Sequence, residues 1–210
     1  VNRVSEAVRR PAYGLPITDS TETDSRAATV STIESFLAGI EQRAYRFALY
    51  ELWDRDAALD AVQDSMWRLV ERYATRPTGE WPALFFTILK NRTTDAKRWR
   101  VVQRMRGLFG GGVRHEKANE QVLLAVPASP DETPEARQTA AEQRRALQRA
   151  LAELPARQRQ TFLLRECEGL TTAETAQTLG CSEGTVKQHH FRALQALRAK
   201  LSKVWYEQTN

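Results

Sequence analysis

The stretch Thr171-Thr172-Ala173-Glu174-Thr175-Ala176-Gln177-Thr178-Leu179-Gly180-Cys181-Ser182-Glu183-Gly184-Thr185-Val186-Lys187 has the spacing of two short helices joined by a tight turn. Thr171 with Glu174 three residues on is a capping box that starts the first helix. Ala176 is small where the two helices must cross, Gly180 suits a turn that a Cβ would strain, and Ser182 is placed to cap the second helix. Val186 then falls on the inner face. Ser182, Glu183, Gly184, Thr185, Lys187, Gln188 and His189 are left near the amino-terminal end, which in helix-turn-helix motifs enters the major groove.

An ordinary helical hairpin would share the alanine, the glycine and the cap. The basic, polar second helix favours a DNA-reading motif, with Arg192, Arg198, Lys200 and Lys203 placed for phosphates. His189 and His190 are adjacent, about 100° apart on a helix, so a two-histidine metal pair on one face is disfavoured. One is expected to face DNA or solvent and the other the core. Cys167, among apolar neighbours, is expected to be buried, and Cys181 to fill space in the turn.

Working outward, helical periodicity extends back through Ala140, Leu147, Leu151 and Leu154, with Pro155 opening a further helix that ends at Gly169. Before it, the glycine triplet 110–112 and an acidic, proline-bearing run read as a linker. Earlier still, Ile33, Phe36, Leu37, Ile40, Ala44, Phe47 and Ala48 form one helical stripe. Leu59, Val62, Met66, Leu69, Val70 and Tyr73 form a second, and Phe85, Ile88, Leu89, Ala96 and Trp99 a third. Period-two alternation is absent between residues 33 and 99, so the fold class is all-α. The expected plan is a flexible leader 1–30, a helical domain 31–106, a linker 107–139 and a helix-turn-helix domain 140–205.

Composition excludes other classes. Two cysteines without metal-ligand spacing argue against a disulfide framework or structural zinc, and suit a reducing, cytoplasmic setting. There is no apolar run long enough to span a membrane, and the first residues lack the apolar core of a secretory signal. Three histidines and no clustered carboxylates offer little to an enzyme, so no catalytic activity, cofactor or metal is expected. The net charge of +5 is the remainder of larger local charges. Positive charge gathers in residues 90–106 and 187–203, and negative charge in the linker.

The third stripe carries a basic face of Lys90, Arg92, Lys97, Arg98 and Arg100. A solvated face would explain such a run, but cations beside aromatics also suit single-stranded nucleic acid. Asn91 adds an amide able to read a base edge. Trp81 and Trp99 are expected in the core, so the basic side chains rank above the rings.

Together the two halves resemble bacterial RNA polymerase sigma factors of the extracytoplasmic-function group. Leu154-Pro155-Ala156-Arg157, Glu168-Gly169-Leu170-Thr171, Gly184-Thr185-Val186-Lys187 and Arg192-Ala193-Leu194 are similar to region four of that family. Asp60-Ala61-Val62-Gln63-Asp64 resembles region two point two, and the segment with Ile88-Leu89-Lys90-Asn91 and Asp95 resembles regions two point three and two point four. The resemblance covers about residues 33–106 and 140–203.

It implies a promoter-specificity subunit that binds core RNA polymerase through Asp60, Gln63, Asp64 and Trp67, with Arg68 beside them. Lys90, Asn91, Arg92, Asp95, Lys97, Arg98 and Arg100 would engage the minus-ten element as duplex and as the single non-template strand, with a flipped base held near Asn91 and loop 74–80. Ser182, Glu183, Gly184, Thr185, Lys187, Gln188, His189 and Arg192 would read the minus-thirty-five element. An anti-sigma factor is the further partner implied. Gln188-His189-His190-Phe191 stands where relatives more often carry Ser-Arg-Leu, so promoter preference does not transfer. The alternative, a helix-turn-helix regulator outside the polymerase, predicts an amino-terminal α/β sensor whose strand signals are missing.

Overall fold

The computed structural model describes residues 20–105, 107 and 134–206. The leader up to residue 19 and most of the linker, 108–133, lie outside the described residues. Among those described there are seven helices and no strand.

Three long helices form the first unit: α1 (Ser20–Leu52), α2 (Arg55–Tyr73) and α3 (Trp81–Met105). Helix α1 takes in the last residues of the expected leader. Its stripe is buried as expected at Ile33, Ile40, Ala44, Phe47 and Ala48, and continues through Leu49 and Leu52. The joint to α2 is tight. Trp53 adopts a φ of 53°, the left-handed region that bulky residues avoid, and Asp54 caps α2 by accepting the Ala57 N–H at 3.0 Å.

Helix α2 is rotated from its expected setting. Ala58, Ala61, Val62, Ser65 and Leu69 face inward, while Leu59 and Val70 are 46% and 41% exposed. Small side chains at 58, 61 and 65 let α2 approach its neighbours closely, and the buried Ser65 hydroxyl is satisfied by the Ala61 carbonyl at 2.6 Å. Helix α3 opens with Trp81 and Pro82 after a short 3-10 turn, Thr78–Glu80. Trp81 is enclosed as expected, and its indole N–H donates to the Tyr73 carbonyl at 3.1 Å. Phe36 meets both Trp81 and Phe85, and Phe86 joins Phe85 to Phe47 edge-on, with centroids 5.5 to 6.4 Å apart. Trp99 departs from expectation: it is 57% exposed, while Lys97 and Arg100 on either side of it reach Glu51 and Leu52 of α1.

The second unit comprises α4 (Pro134–Ala152), α5 (Ala156–Phe162), α6 (Thr172–Leu179) and α7 (Glu183–Tyr206). Helix α5 widens into a π turn, Leu163–Cys167, where the Glu168 N–H reaches the Leu163 carbonyl at 3.0 Å. Cys167 lies exposed on this turn rather than buried as expected, since the extra residue swings it outward; neighbouring packing still pushes its thiol pKa up. A core of Ala150, Leu151, Leu154, Ala193, Leu197 and Leu201 joins α4 to α7.

The two units do not stand apart. The first core continues without a break into Leu163, Leu164, Leu170 and Leu179 of the second unit. Helix α6 lies along α3, with the Thr178 hydroxyl donating to the Ala83 carbonyl at 3.4 Å. Tyr50 of α1 packs against the second core, and burial pushes its phenol pKa up.

Candidate nucleic-acid interface

The helix-turn-helix is built as the motif requires. Thr171 accepts the Glu174 N–H at 3.2 Å while the Glu174 carboxylate takes the Thr171 N–H at 2.7 Å, closing the capping box. Gly180 turns the chain at φ 65°, and a Cβ there would meet nothing, so its role is purely one of backbone conformation. Ser182 accepts the Thr185 N–H at 3.2 Å and caps α7. Ala176 and Val186 are buried between the helices.

Along α7 the outward face carries Gly184, Lys187, Gln188, Phe191, Arg192 and Gln195, and Ser182 and Glu183 are exposed at its start. Thr185 and His189 are only half-exposed, and the Nδ1 of His189 is buried without a hydrogen-bond partner. His190 turns away to Glu166 on the π turn, Nε2 to Oε1 2.7 Å. On this face sequence reasoning missed Phe191, 67% exposed in its middle. The angular period from Gly184 through Gln188 to Phe191 and Gln195 was the signal that places it there.

Helix α3 presents its cations around a cavity of about 670 Å³ shared with α2 and α5. Lys90, Asn91, Arg92, Asp95, Lys97 and Arg98 line it from α3, Arg68 from α2, and Arg157 and Gln160 from α5. Asn91, Asp95 and Arg98 are exposed, and the other three are half-buried. Burial, then the nearby Arg157 charge, lowers the Lys90 pKa. The Thr93 and Thr94 hydroxyls both donate to the Lys90 carbonyl, at 3.0 and 2.7 Å, back-bonding that tends to bend a helix there. Of the expected loop 74–80, no residue lines this cavity; only the preceding Tyr73 does.

Several of these cations are already engaged. Arg92 lies 3.8 Å from Asp64, Arg98 3.8 Å from Asp95, and Arg100 2.9 Å from Asp54 while donating to the Leu52 carbonyl. Lys97 is paired with Glu51, a buried carboxylate to which sequence reasoning assigned no role. Its signal was present: Glu51 continues the stripe through Ala44, Phe47 and Ala48, an acid in an apolar register. On the solvent side of α2, Asp60, Gln63 and Trp67 are exposed with Leu59 and Val70, Trp67 being 72% exposed, and Asp64 stands at the edge of this face where it meets Arg92 of α3. Among the described residues no group of histidine, cysteine or acidic side chains is arranged to hold a metal ion. Nor is any described helix long and apolar enough to cross a membrane.

Known proteins match this arrangement. A family profile described as Sigma-70, region 4 covers residues 144–197, most of the second unit. The ECF RNA polymerase sigma factor EcfG of Rhodopseudomonas palustris is 29% identical over 195 residues, spanning 91% of this chain and 88% of the relative. The ECF RNA polymerase sigma factor SigL of Mycobacterium tuberculosis is 30% identical over 165 residues, 76% of this chain and 83% of its own length. Among solved structures, the sigma factor RpoE of Bartonella quintana, crystallised with the anti-sigma factor NepR, shares the fold at TM-score 0.54. Its identity is 23%, over 86% of this chain and 98% of that one. A capped helix-turn-helix, a basic helical unit ahead of it, and relatives aligned along most of both halves lead to one conclusion: the chain belongs to the ECF group of RNA polymerase sigma factors.

Proposed function

We propose that this sigma factor gives RNA polymerase its promoter choice by offering two helices to DNA, α3 to the minus-ten element and α7 to the minus-thirty-five element. It performs no chemistry of its own. The observation that carries the assignment is the capped start of α7, where Lys187, Gln188, Phe191 and Arg192 share one exposed face clear of the core. In this reading Gln188 reads base edges, Lys187 and Arg192 hold phosphates, and Phe191 packs on thymine methyl groups. Asn91, exposed beside Lys90 and Arg98, takes an unstacked non-template base.

The exposed face of α2 with Asp60, Gln63, Asp64 and Trp67 is assigned to core polymerase, a large aromatic rimmed by carboxylates being a suitable anchor. An anti-sigma factor is proposed as the regulatory partner, supported by the complex in which the Bartonella quintana sigma factor was crystallised. The test is reconstitution with core polymerase and mapping of transcript starts. A shared upstream motif at the start sites is expected, whereas no copurification with core and tight DNA binding by the chain alone would refute the assignment.

A further inference from the structure

Glu51 is the most enclosed charge of the described residues, 2% exposed at the end of α1 where the two units meet. An isolated carboxylate there would be strongly disfavoured, so its partners define its purpose. They come from both units. From the first, the Lys97 ammonium of α3 pairs with Oε2. From the second, Arg159 Nε donates to Oε1 at 3.0 Å and Gln160 Nε2 to Oε2 at 2.9 Å, both from α5. Arg159 and Gln160 are themselves buried, and Arg159 also reaches the Leu154 carbonyl at 3.2 Å.

The geometry points to Glu51 as an internal stand-in for a DNA phosphate: it occupies Lys97 and, through Arg159 and Gln160, holds α5 to α1 on the wall of the cavity that faces the cations of α3. Promoter DNA must displace this carboxylate to gain Lys97. The inference rests on the assignment of α3 to the minus-ten element and adds a residue that lies on no DNA-facing surface. Glu51 is a positioning residue, acting through Lys97. Two neighbouring features fit the same role. Arg100, one turn beyond Lys97 and on the same helix, is held by Asp54 at 2.9 Å, so a second cation of this face is also neutralised from the α1–α2 joint. Trp53, between those two acids, is held at φ 53°, a strained conformation of the kind found at switch points.

The test measures binding of the full chain, without core polymerase, to a fork-shaped DNA bearing an unpaired non-template strand, by fluorescence anisotropy over a range of salt. Glu51→Gln keeps the volume and an acceptor but removes the charge. It is expected to bind several-fold more tightly, with the log K against log salt plot steeper by about one. The double variant Glu51→Gln with Lys97→Gln should lose both gains, which a purely structural role for Glu51 would not produce. Wild-type affinity and slope in a helical, folded Glu51→Gln protein would overturn the proposal. Should that variant fail to fold, Lys97→Gln in the wild-type background takes its place: with Lys97 already held by Glu51, only a small loss of fork affinity is expected, and a loss as large as that from Arg98→Ala would overturn the proposal. Arg98→Ala in the wild-type background separates the two readings. If it leaves fork binding intact, the assignment of α3 fails; if it weakens binding while Glu51→Gln changes nothing, only the role of Glu51 fails.

Discussion

The imidazole of His190 and the carboxylate of Glu166 meet at 2.7 Å, joining α7 to the π turn that ends α5. The pair ties down the flank of α7 whose rotation is set by the buried Val186, Ala193 and Leu197. Glu166 is on a turn widened by one residue, and that extra residue brings its side chain within reach of α7. Both partners retain solvent contact, with 23% and 45% side-chain exposure, so the contribution to stability is modest. Glu166→Ala should lower the unfolding free energy by roughly 0.5–1 kcal/mol in urea titration. A loss above that range would mean the contact does more than orient the helix.

Gly180 tests the turn. Because nothing stands within reach of an added Cβ, Gly180→Ala is opposed only by the positive φ. The expected destabilisation is about 1–2 kcal/mol, with Gly180→Asn costing less because asparagine tolerates the left-handed region. Thermal melts of the two variants measure the order directly, and alanine equal to glycine would contradict the backbone argument.

Arg43 and Glu168 form a further ion pair between the units, Nε to Oε2 3.0 Å, with the arginine also bound to the Glu168 carbonyl. Their environments are unequal: the Glu168 side chain is 3% exposed and that of Arg43 is 40%. Burial raises the Glu168 pKa, and the Arg43 charge offsets part of the rise. A carboxyl raised in the folded state favours folding fully below its unfolded value and loses that contribution as pH climbs through the folded value. Stability of the wild type should therefore fall over that interval by an amount absent from Glu168→Gln, read from urea titrations at stepped pH. At neutral pH Arg43→Gln should cost roughly 3 kcal/mol by stranding a buried carboxylate, and Glu168→Gln much less. The reverse order would refute the burial argument.

On DNA, Arg192→Ala should weaken binding to all promoters alike, whereas Gln188→Ala should change the order of preference among them. Selection from a randomised minus-thirty-five element measures both. A uniform loss from the Gln188 change would remove it from base readout.

Asn91→Ala should slow promoter opening more than recruitment. A premelted template should restore its activity in run-off transcription, and failure of that rescue would exclude strand capture by Asn91.

Local chemistry made the second unit legible. The capping box at Thr171 and Glu174, the turn at Gly180, the cap at Ser182 and the buried Val186 each depend on residues within one or two turns, and all four are found as the spacing predicts. Features decided by packing over long separations were not legible. The rotation of α2 that exposes Leu59 and Val70 depends on how closely Ala58 and Ala61 approach neighbouring helices. The exposure of Trp99 depends on which face of α3 meets α1, and the partners of Glu51 stand 46 to 109 residues away. An apolar stripe tells which helix face is buried, but not against what.

The core that runs from Phe85 and Leu89 into Leu163, Leu164, Leu170 and Leu179 gives a separated molecule an adhesive surface. At about 1.5–3 kcal/mol for each fully buried leucine, uncovering those side chains is steep, and the bared patch will seek another greasy surface, including that of a second copy. Separation of the units is therefore tied to replacement of one cover by another. A polymerase that takes the chain apart must shield what it exposes, and variants that loosen the joint should betray themselves first as turbidity at high concentration.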